Sequence, residues 1–210
     1  MTTTAPERPQ RRDALENRRA ILDAARRALA HDPTASVGAI ANDAGLSRRA
    51  LYGHFEDRDA LIRELVATGA QRFNDIARGI SDDDPRLALA RLASLLWQDA
   101  AHVQVAAAIA LDDAHIEETA AALAPLRRRL VEIVRRGQQS ETLRTDIAAP
   151  TLARLIEETA RGVISRVDGT SPEAGSLAVK AVMSIAGLSW RESAELLDRH
   201  PWLAGAPEAS

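Results

Sequence analysis

Residues 37–44 and 48–55 are two short stretches of helical periodicity on either side of Gly45-Leu46-Ser47, and this spacing leaves the chain few ways to fold locally. Gly45 has no Cβ, so it can take the left-handed conformation that ends a helix. Ser47 can accept a hydrogen bond from the unpaired amides that open the next helix, and Ser36 can do the same for the helix before it. Leu46 supplies an apolar plug between the two. A helix, a tight glycine-containing turn and a second helix make a helix-turn-helix. In such units the second helix enters the DNA major groove with its N-terminal residues at the base edges. Here those residues are Ser47, Arg48 and Arg49.

The net charge of −3 argues against a nucleic-acid partner only until its distribution is read. Residues 1–55 hold nine Arg against six acidic side chains, net +3, and the remainder carries −6. The positive field is therefore confined to the quarter that holds the motif, and it is modest enough to predict weak, salt-sensitive non-specific binding. Aromatic residues are only 3% of the chain, and Ala, Leu and Arg dominate, which favours helix over strand. Cysteine is absent, which excludes disulfides, thiolate chemistry and Cys-based zinc sites. No apolar run is long enough to span a membrane and no apolar signal core opens the chain, so a cytoplasmic protein is expected.

Periodicity and capping signals predict an all-α protein. The basic, proline-containing leader 1–12 is read either as a flexible segment or as an arm that follows the DNA backbone or minor groove. A first helix is predicted from Asp13, with Leu15, Leu22, Ala25 and Leu29 on its inner stripe and a stop at His31-Asp32-Pro33. Val37, Ile40, Ala41 and Ala44 face inward on the second. After the motif a longer helix opens at Glu56-Asp57 and runs to about Gly79, with Leu61, Leu65, Val66 and Phe73 inside. Asp84-Pro85 caps a nearly apolar helix to about Ala101, carrying Leu89, Leu92, Leu96 and Trp97. A short helix is expected over 102–111, and another from Asp112 to Gly137 that Pro125 kinks or splits. Helices over 152–167 and 173–186 follow, then a short one capped by Ser189-Trp190-Arg191-Glu192. The division predicted is leader 1–12, helix-turn-helix head 13–56, helical body 57–204 and tail 205–210.

Ser36-Val37, Ile40-Ala41, Ala44-Gly45-Leu46-Ser47, Ala50-Leu51-Tyr52-Gly53-His54-Phe55, Arg58 and Ala60-Leu61, following a first helix, resemble the N-terminal domain of TetR-type transcriptional regulators. The likeness covers about residues 13–65; beyond residue 80 it is one of outline only, with a looser echo at Gly137 and Leu143-Arg144-Thr145-Asp146. The resemblance implies a DNA-binding head in which Ser36 caps and touches a phosphate and Ser47, Arg48, Arg49 and Ala50 begin the recognition helix. It also implies that Tyr52 and His54 meet backbone phosphates and that Arg58 stands where a Lys commonly opens the next helix. Ala50 replaces a usual Thr, and Arg48-Arg49 a pair that often includes Gly, so the operator sequence does not follow. The residues themselves leave two readings of each arginine. A guanidinium can grip guanine O6 and N7, which discriminates between bases by roughly 1–3 kcal/mol, or it can bind phosphate alone. Tyr52 is also readable as a half-buried core aromatic and His54 as a solvated surface residue. Leu51 and Phe55 read as core.

The resemblance further implies that the body binds a small-molecule effector and forms a homodimer, giving a ligand-responsive repressor on a palindromic operator. Leu152, Ile156, Thr159 and Val163, with Leu177, Ala181 and Ile185, form apolar stripes suited to an isologous four-helix interface or to an ordinary internal core. Gly162 and Ala178 would permit close approach. Trp97, His102, Gln104 and His115 are the candidate effector contacts, with Trp97 preferred, although each suits core or surface as well. Asp112, His115 and Glu118 share a helical face and could hold a metal; they equally suit a helix N-terminus, where carboxylates complement the dipole. With no phosphate loop or hydrolase motif, neither catalysis nor a cofactor is expected. The competing readings are an interaction protein whose motif no longer reads a specific site and a small helical enzyme built on that acidic cluster.

Overall fold

The computed structural model describes residues 7–32, 34–101, 116–168 and 171–205, and among them every regular element is a helix. The chain divides into two compact units, Met1–Val66 and Ala67–Ser210.

The first unit contains α1 (Glu7–His31), α2 (Val37–Asp43), α3 (Arg48–Tyr52) and the first turns of α4 (Arg58–Gly79). Ile21, Leu22, Ala24, Ala25 and Leu29 of α1 are buried, as are Val37, Ile40 and Ala41 of α2. Leu51, Phe55, Leu61, Ile62 and Leu65 complete the buried set. Two expectations change. The first helix begins at Glu7 and not at Asp13. Pro9 falls in its opening turn, where a missing amide donor costs nothing. Leu15 is 59% exposed and takes no part in the core, which uses α1 only from about Arg18 onward. Ile21 and Ala24 extend the inner stripe instead. α1 stops where expected. The Asp32 carboxylate accepts from the Thr34 hydroxyl and amide at 2.7 and 2.8 Å, and those bonds hold its pKa below the usual carboxylate value.

The second unit is built around α5 (Pro85–Ala101), which packs against α7 (Ala124–Gln139), α8 (Ala149–Arg166), α9 (Ala174–Ile185) and the 3-10 turn Pro201–Ala204. A helix with neighbours on several sides must be apolar nearly all round. Ala88, Leu89, Ala90, Leu92 and Ala93 are buried accordingly. Asp84 caps its start, accepting from the Arg86 amide at 2.9 Å with Pro85 as the first helical residue. Burial raises the Asp84 carboxyl pKa, but hydrogen bonds from the Arg86 side chain and amide outweigh it and leave it lowered. The capping box at Ser189 is formed as predicted and opens α10 (Trp190–Arg199). No described helix is long and apolar enough to cross a membrane.

Pro125 splits its helix. α6 (Ile116–Ala122) ends and α7 begins after Leu123, and the backbone groups freed at the break are met from α4. The buried Asn74 side chain donates to the Ala122 carbonyl at 2.9 Å and accepts from the Leu126 amide at 3.0 Å. The expected 102–111 helix lies outside the described residues. Replacing Asn74 with Leu strands a carbonyl and an amide without partners, so unfolding of the second unit is expected about 1–3 kcal/mol easier in a denaturant titration.

Candidate nucleic-acid interface

The helix-turn-helix is held by local backbone chemistry. Ser36 is the N-cap of α2, its hydroxyl accepting from the Ala39 amide at 3.2 Å. At the far end Gly45 has φ +69°, and the amides of Gly45 and Leu46 return to the carbonyls of Asn42 and Ala41 at 3.0 and 2.9 Å. This left-handed closure turns the chain into α3. Ser47 then caps α3, accepting from the Ala50 amide at 3.1 Å. Leu51 is fully buried and Phe55 nearly so, which anchors the five-residue helix from beneath. Leu46 is half-buried, a looser plug than expected.

The other face of α3 is open. Ser47, Arg48 and Arg49 are exposed, Ser36 is exposed, and Ala50, His54 and Arg58 are half-buried. Tyr52 is 42% exposed, so part of its ring is open on this face. The Arg48 guanidinium lies 5.6 Å from the Tyr52 ring centroid with a long 3.5 Å contact to its hydroxyl, which ranges the two side chains along one face. Arg18, Arg26 and Arg27 pair with Glu64, Asp23 and Asp43, whereas Arg48 and Arg49 have no carboxylate partner among the described residues. The cations left uncompensated on α3 are those a phosphate or a guanine edge could use.

In the second unit the sequence-chosen residues are redistributed. Trp97 is only 5% exposed and packs with Ala174, Ala178, Val163, Ile164 and Val167. A cavity of about 440 Å³ lies elsewhere, among α6, α7 and α8. Leu130, Val131, Pro150 and Ala153 give it apolar wall, and Thr119, Arg127, Arg154, Glu157, Glu158 and Arg161 supply polar groups. Glu157 is shared: Arg127 grips it with a two-nitrogen fork at 2.6–3.1 Å, and Arg161 reaches the same carboxylate at 3.0 Å. The bond to Glu157 raises the Arg127 pKa above its ordinary value. Trp97 is not in this lining because its ring fills a gap in the chain's own packing. His102, Gln104 and His115 lie outside the described residues, as do Asp112 and the side chain of Glu118.

Of the interface candidates, Leu152 and Ile156 are sealed in the body's own core, a correction to their reading as partner-facing. Thr159, Val163, Ala181 and Ile185 are half-buried. Leu177 is 45% exposed, and Leu155, which the sequence reading passed over, is 42% exposed. Leu155 lies three residues from Leu152, on the outer side of a helix whose core side the apolar stripe had marked.

Residues 21–65 match the family model described as bacterial regulatory proteins, tetR family. The chain carries a TetR-family head. The match stops with this head, and comparison with curated proteins gives no match. Over 80–99% of its length the chain resembles solved structures at low identity. A TetR family transcriptional regulator, PfmR from Thermus thermophilus, is 20% identical with a TM-score of 0.66, over 80% of this chain and 98% of that one. The fatty acid degradation regulator FadR from Bacillus halodurans is 17% identical at 0.63, over 99% and 100%. RolR, solved in complex with the ligand resorcinol, is 13% identical at 0.60, over 95% and 98%. At these identities the likeness past the head is one of fold.

The TetR-type head makes its caps testable. Replacing Ser47 with Ala removes the acceptor for the Ala50 amide, and the head is expected to lose about 1 kcal/mol of stability, read from the loss of hydrogen-exchange protection at Leu51.

Proposed function

We propose that the protein is a ligand-responsive transcriptional repressor that acts as a homodimer on a palindromic DNA operator in the cytoplasm. DNA binding is assigned to residues 13–56, and effector binding and dimerisation to 57–204. The observation that carries the reading is the pair Arg48 and Arg49, exposed and without carboxylate partners on a helix capped and presented as a TetR-type recognition helix. Ser47 and Ala50 accompany them at the base edges. Ser36, Tyr52, His54 and Arg58 are assigned to the flanking phosphates.

The effector site is assigned to the cavity among α6, α7 and α8. Its volume suits a small molecule, and its mixed lining suits one with an apolar body and groups that hydrogen-bond to arginine or carboxylate. RolR's resorcinol is a ligand of that general kind. Thr119 and Ala120 of α6 and Arg127, Leu130 and Val131 of α7 line this cavity, and the break between those helices is pinned to α4 through Asn74. α4 runs on as one helix to Arg58. An effector that binds one arrangement of α6 and α7 better than another therefore biases α4, in proportion to its differential affinity.

The dimer surface is assigned to the outward sides of α8 and α9, with Leu155 and Leu177 at its centre and Thr159, Val163, Ala181 and Ile185 around them. Leu155→Glu combined with Leu177→Glu places four carboxylates in a two-fold interface and is expected to give monomers in sedimentation velocity. Arg48→Ala combined with Arg49→Ala tests the reading directly, in a mobility-shift titration on the DNA upstream of the protein's own gene. Affinity should fall, and the salt dependence should flatten by about one unit of slope for each arginine bound to phosphate. Unchanged binding by the double variant refutes the assignment.

A further inference from the structure

Arg18 of α1 meets three parts of the head at once. Its Nη1 donates to the His54 carbonyl at 2.7 Å, directly past the C-terminal end of α3. Its Nε and Nη2 form a fork on the Glu64 carboxylate of α4, the Nε bond measuring 2.7 Å. The guanidinium carbon lies 4.4 Å from the centroid of the Phe55 ring, which is itself buried. Only a planar, many-donor cation can hold a carbonyl, grip a carboxylate with two nitrogens and lie against an aromatic face together.

We propose that Arg18 is a positioning residue for DNA recognition: it fixes the angle at which α3 presents Arg48 and Arg49, without touching DNA itself. The inference rests on the DNA-binding reading above. α3 has five residues, too few to define an axis by its own hydrogen bonds. Its N-terminal end is set by the Ser47 cap and by the closure at Gly45 and Leu46. Its C-terminal end closes through the amides of His54 and Phe55 onto the Leu51 carbonyl, and the carbonyl of His54, just beyond the helix, is the one Arg18 takes. Above its anchors Leu51 and Phe55 the recognition helix is thus held at both ends, and Arg18 ties the second end to α4 through Glu64. If that tie is lost and α3 adopts the reading angle only about a tenth of the time, the apparent dissociation constant rises about tenfold.

The test uses full-length protein and the tightest-bound double-stranded fragment that the wild type recovers from genomic DNA. Affinities of the wild type, Arg18→Met, Arg18→Lys and Glu64→Gln are measured at 25 °C over a range of salt, beside their thermal unfolding. Arg18→Met is expected to bind about tenfold more weakly with the salt slope of the wild type. Arg18→Lys should fall between, since an ammonium keeps the attraction to Glu64 but not the fork. Glu64→Gln gives an opposing sign and covers the case in which Arg18→Met does not fold. Removing a negative charge from the head would strengthen DNA binding if field alone mattered, whereas loss of the anchor weakens it. The proposal is overturned if Arg18→Met loses about one unit of salt slope, which would make Arg18 a phosphate contact. It is overturned equally if thermal stability falls while affinity at 25 °C is kept, or if Glu64→Gln binds as well as or better than the wild type. A wild type that recovers no fragment overturns the DNA-binding reading and this one with it; a wild type that binds beside unaffected variants overturns this one alone.

Discussion

A recognition helix of five residues cannot support itself, and most of the head's chemistry is spent on making up that deficit. Nucleation of an isolated turn is unfavourable, and helices below about 12 residues are marginal in water. α3 therefore exists because its surroundings hold it. Ser47 meets an amide at one end, Gly45 takes the left-handed conformation that aims the chain, and Leu51 and Phe55 are drawn into the core beneath. The same economy explains the exposed side. With so few residues, a helix committed to the core through Leu51 has little room for intramolecular charge pairing. Arg48 and Arg49 are left uncompensated, while Arg18, Arg26 and Arg27 of α1 are paired.

The second unit depends on a different constraint, the satisfaction of backbone groups at a break. Pro125 cannot sit in the interior of a continuous helix without losing a hydrogen bond and clashing with the preceding turn. The interruption frees a carbonyl and an amide in a buried place, where unpaired groups are costly. Asn74 answers both with one side chain, since an amide carries a donor and an acceptor. A buried polar residue on an otherwise apolar face of α4 thus becomes a specific link between that helix and α6 and α7. Apolar packing at the same place would be non-directional; a two-bond link fixes direction as well as distance.

The head was legible in the sequence because its determinants are local. Caps lie three residues from the amides they serve, the left-handed turn needs one glycine, and Leu51 and Phe55 sit at helical spacing. What local pattern could not give was the start of α1, where Asp13 offers a cap but the chain is already helical, or the idle Leu15. In the body the apolar stripes of α8 and α9 were recognised, but not which edge of them turns inward. Leu152 and Ile156 face the core beside α5 while Leu155, on the same helix, stays exposed. That choice depends on neighbours far away in sequence. The cavity was illegible for the same reason. Arg154, Glu157, Glu158 and Arg161 are a charged run on one helix, and nothing local in it announces that Arg127, thirty residues from Glu157, closes on it. Trp97 shows the same limit, since an aromatic on an apolar stretch fits a pocket wall and a core gap alike.

The shared carboxylate of Glu157 has a physical consequence for how the body could respond to a ligand. Two guanidiniums share one carboxylate, so the attraction of Glu157 is divided between partners on α7 and α8, and Arg161 also lies 3.9 Å from Glu158. A ligand that accepts a hydrogen bond from either arginine competes with Glu157 for that donor and need not bring a full charge to do so. Because Arg127 also donates to the Ala120 carbonyl of α6 at 3.1 Å, its displacement loosens α6 from α7 at the same moment. A ligand entering this cavity would exchange one set of bonds between helices for another, which gives it a differential affinity for two arrangements of the bundle.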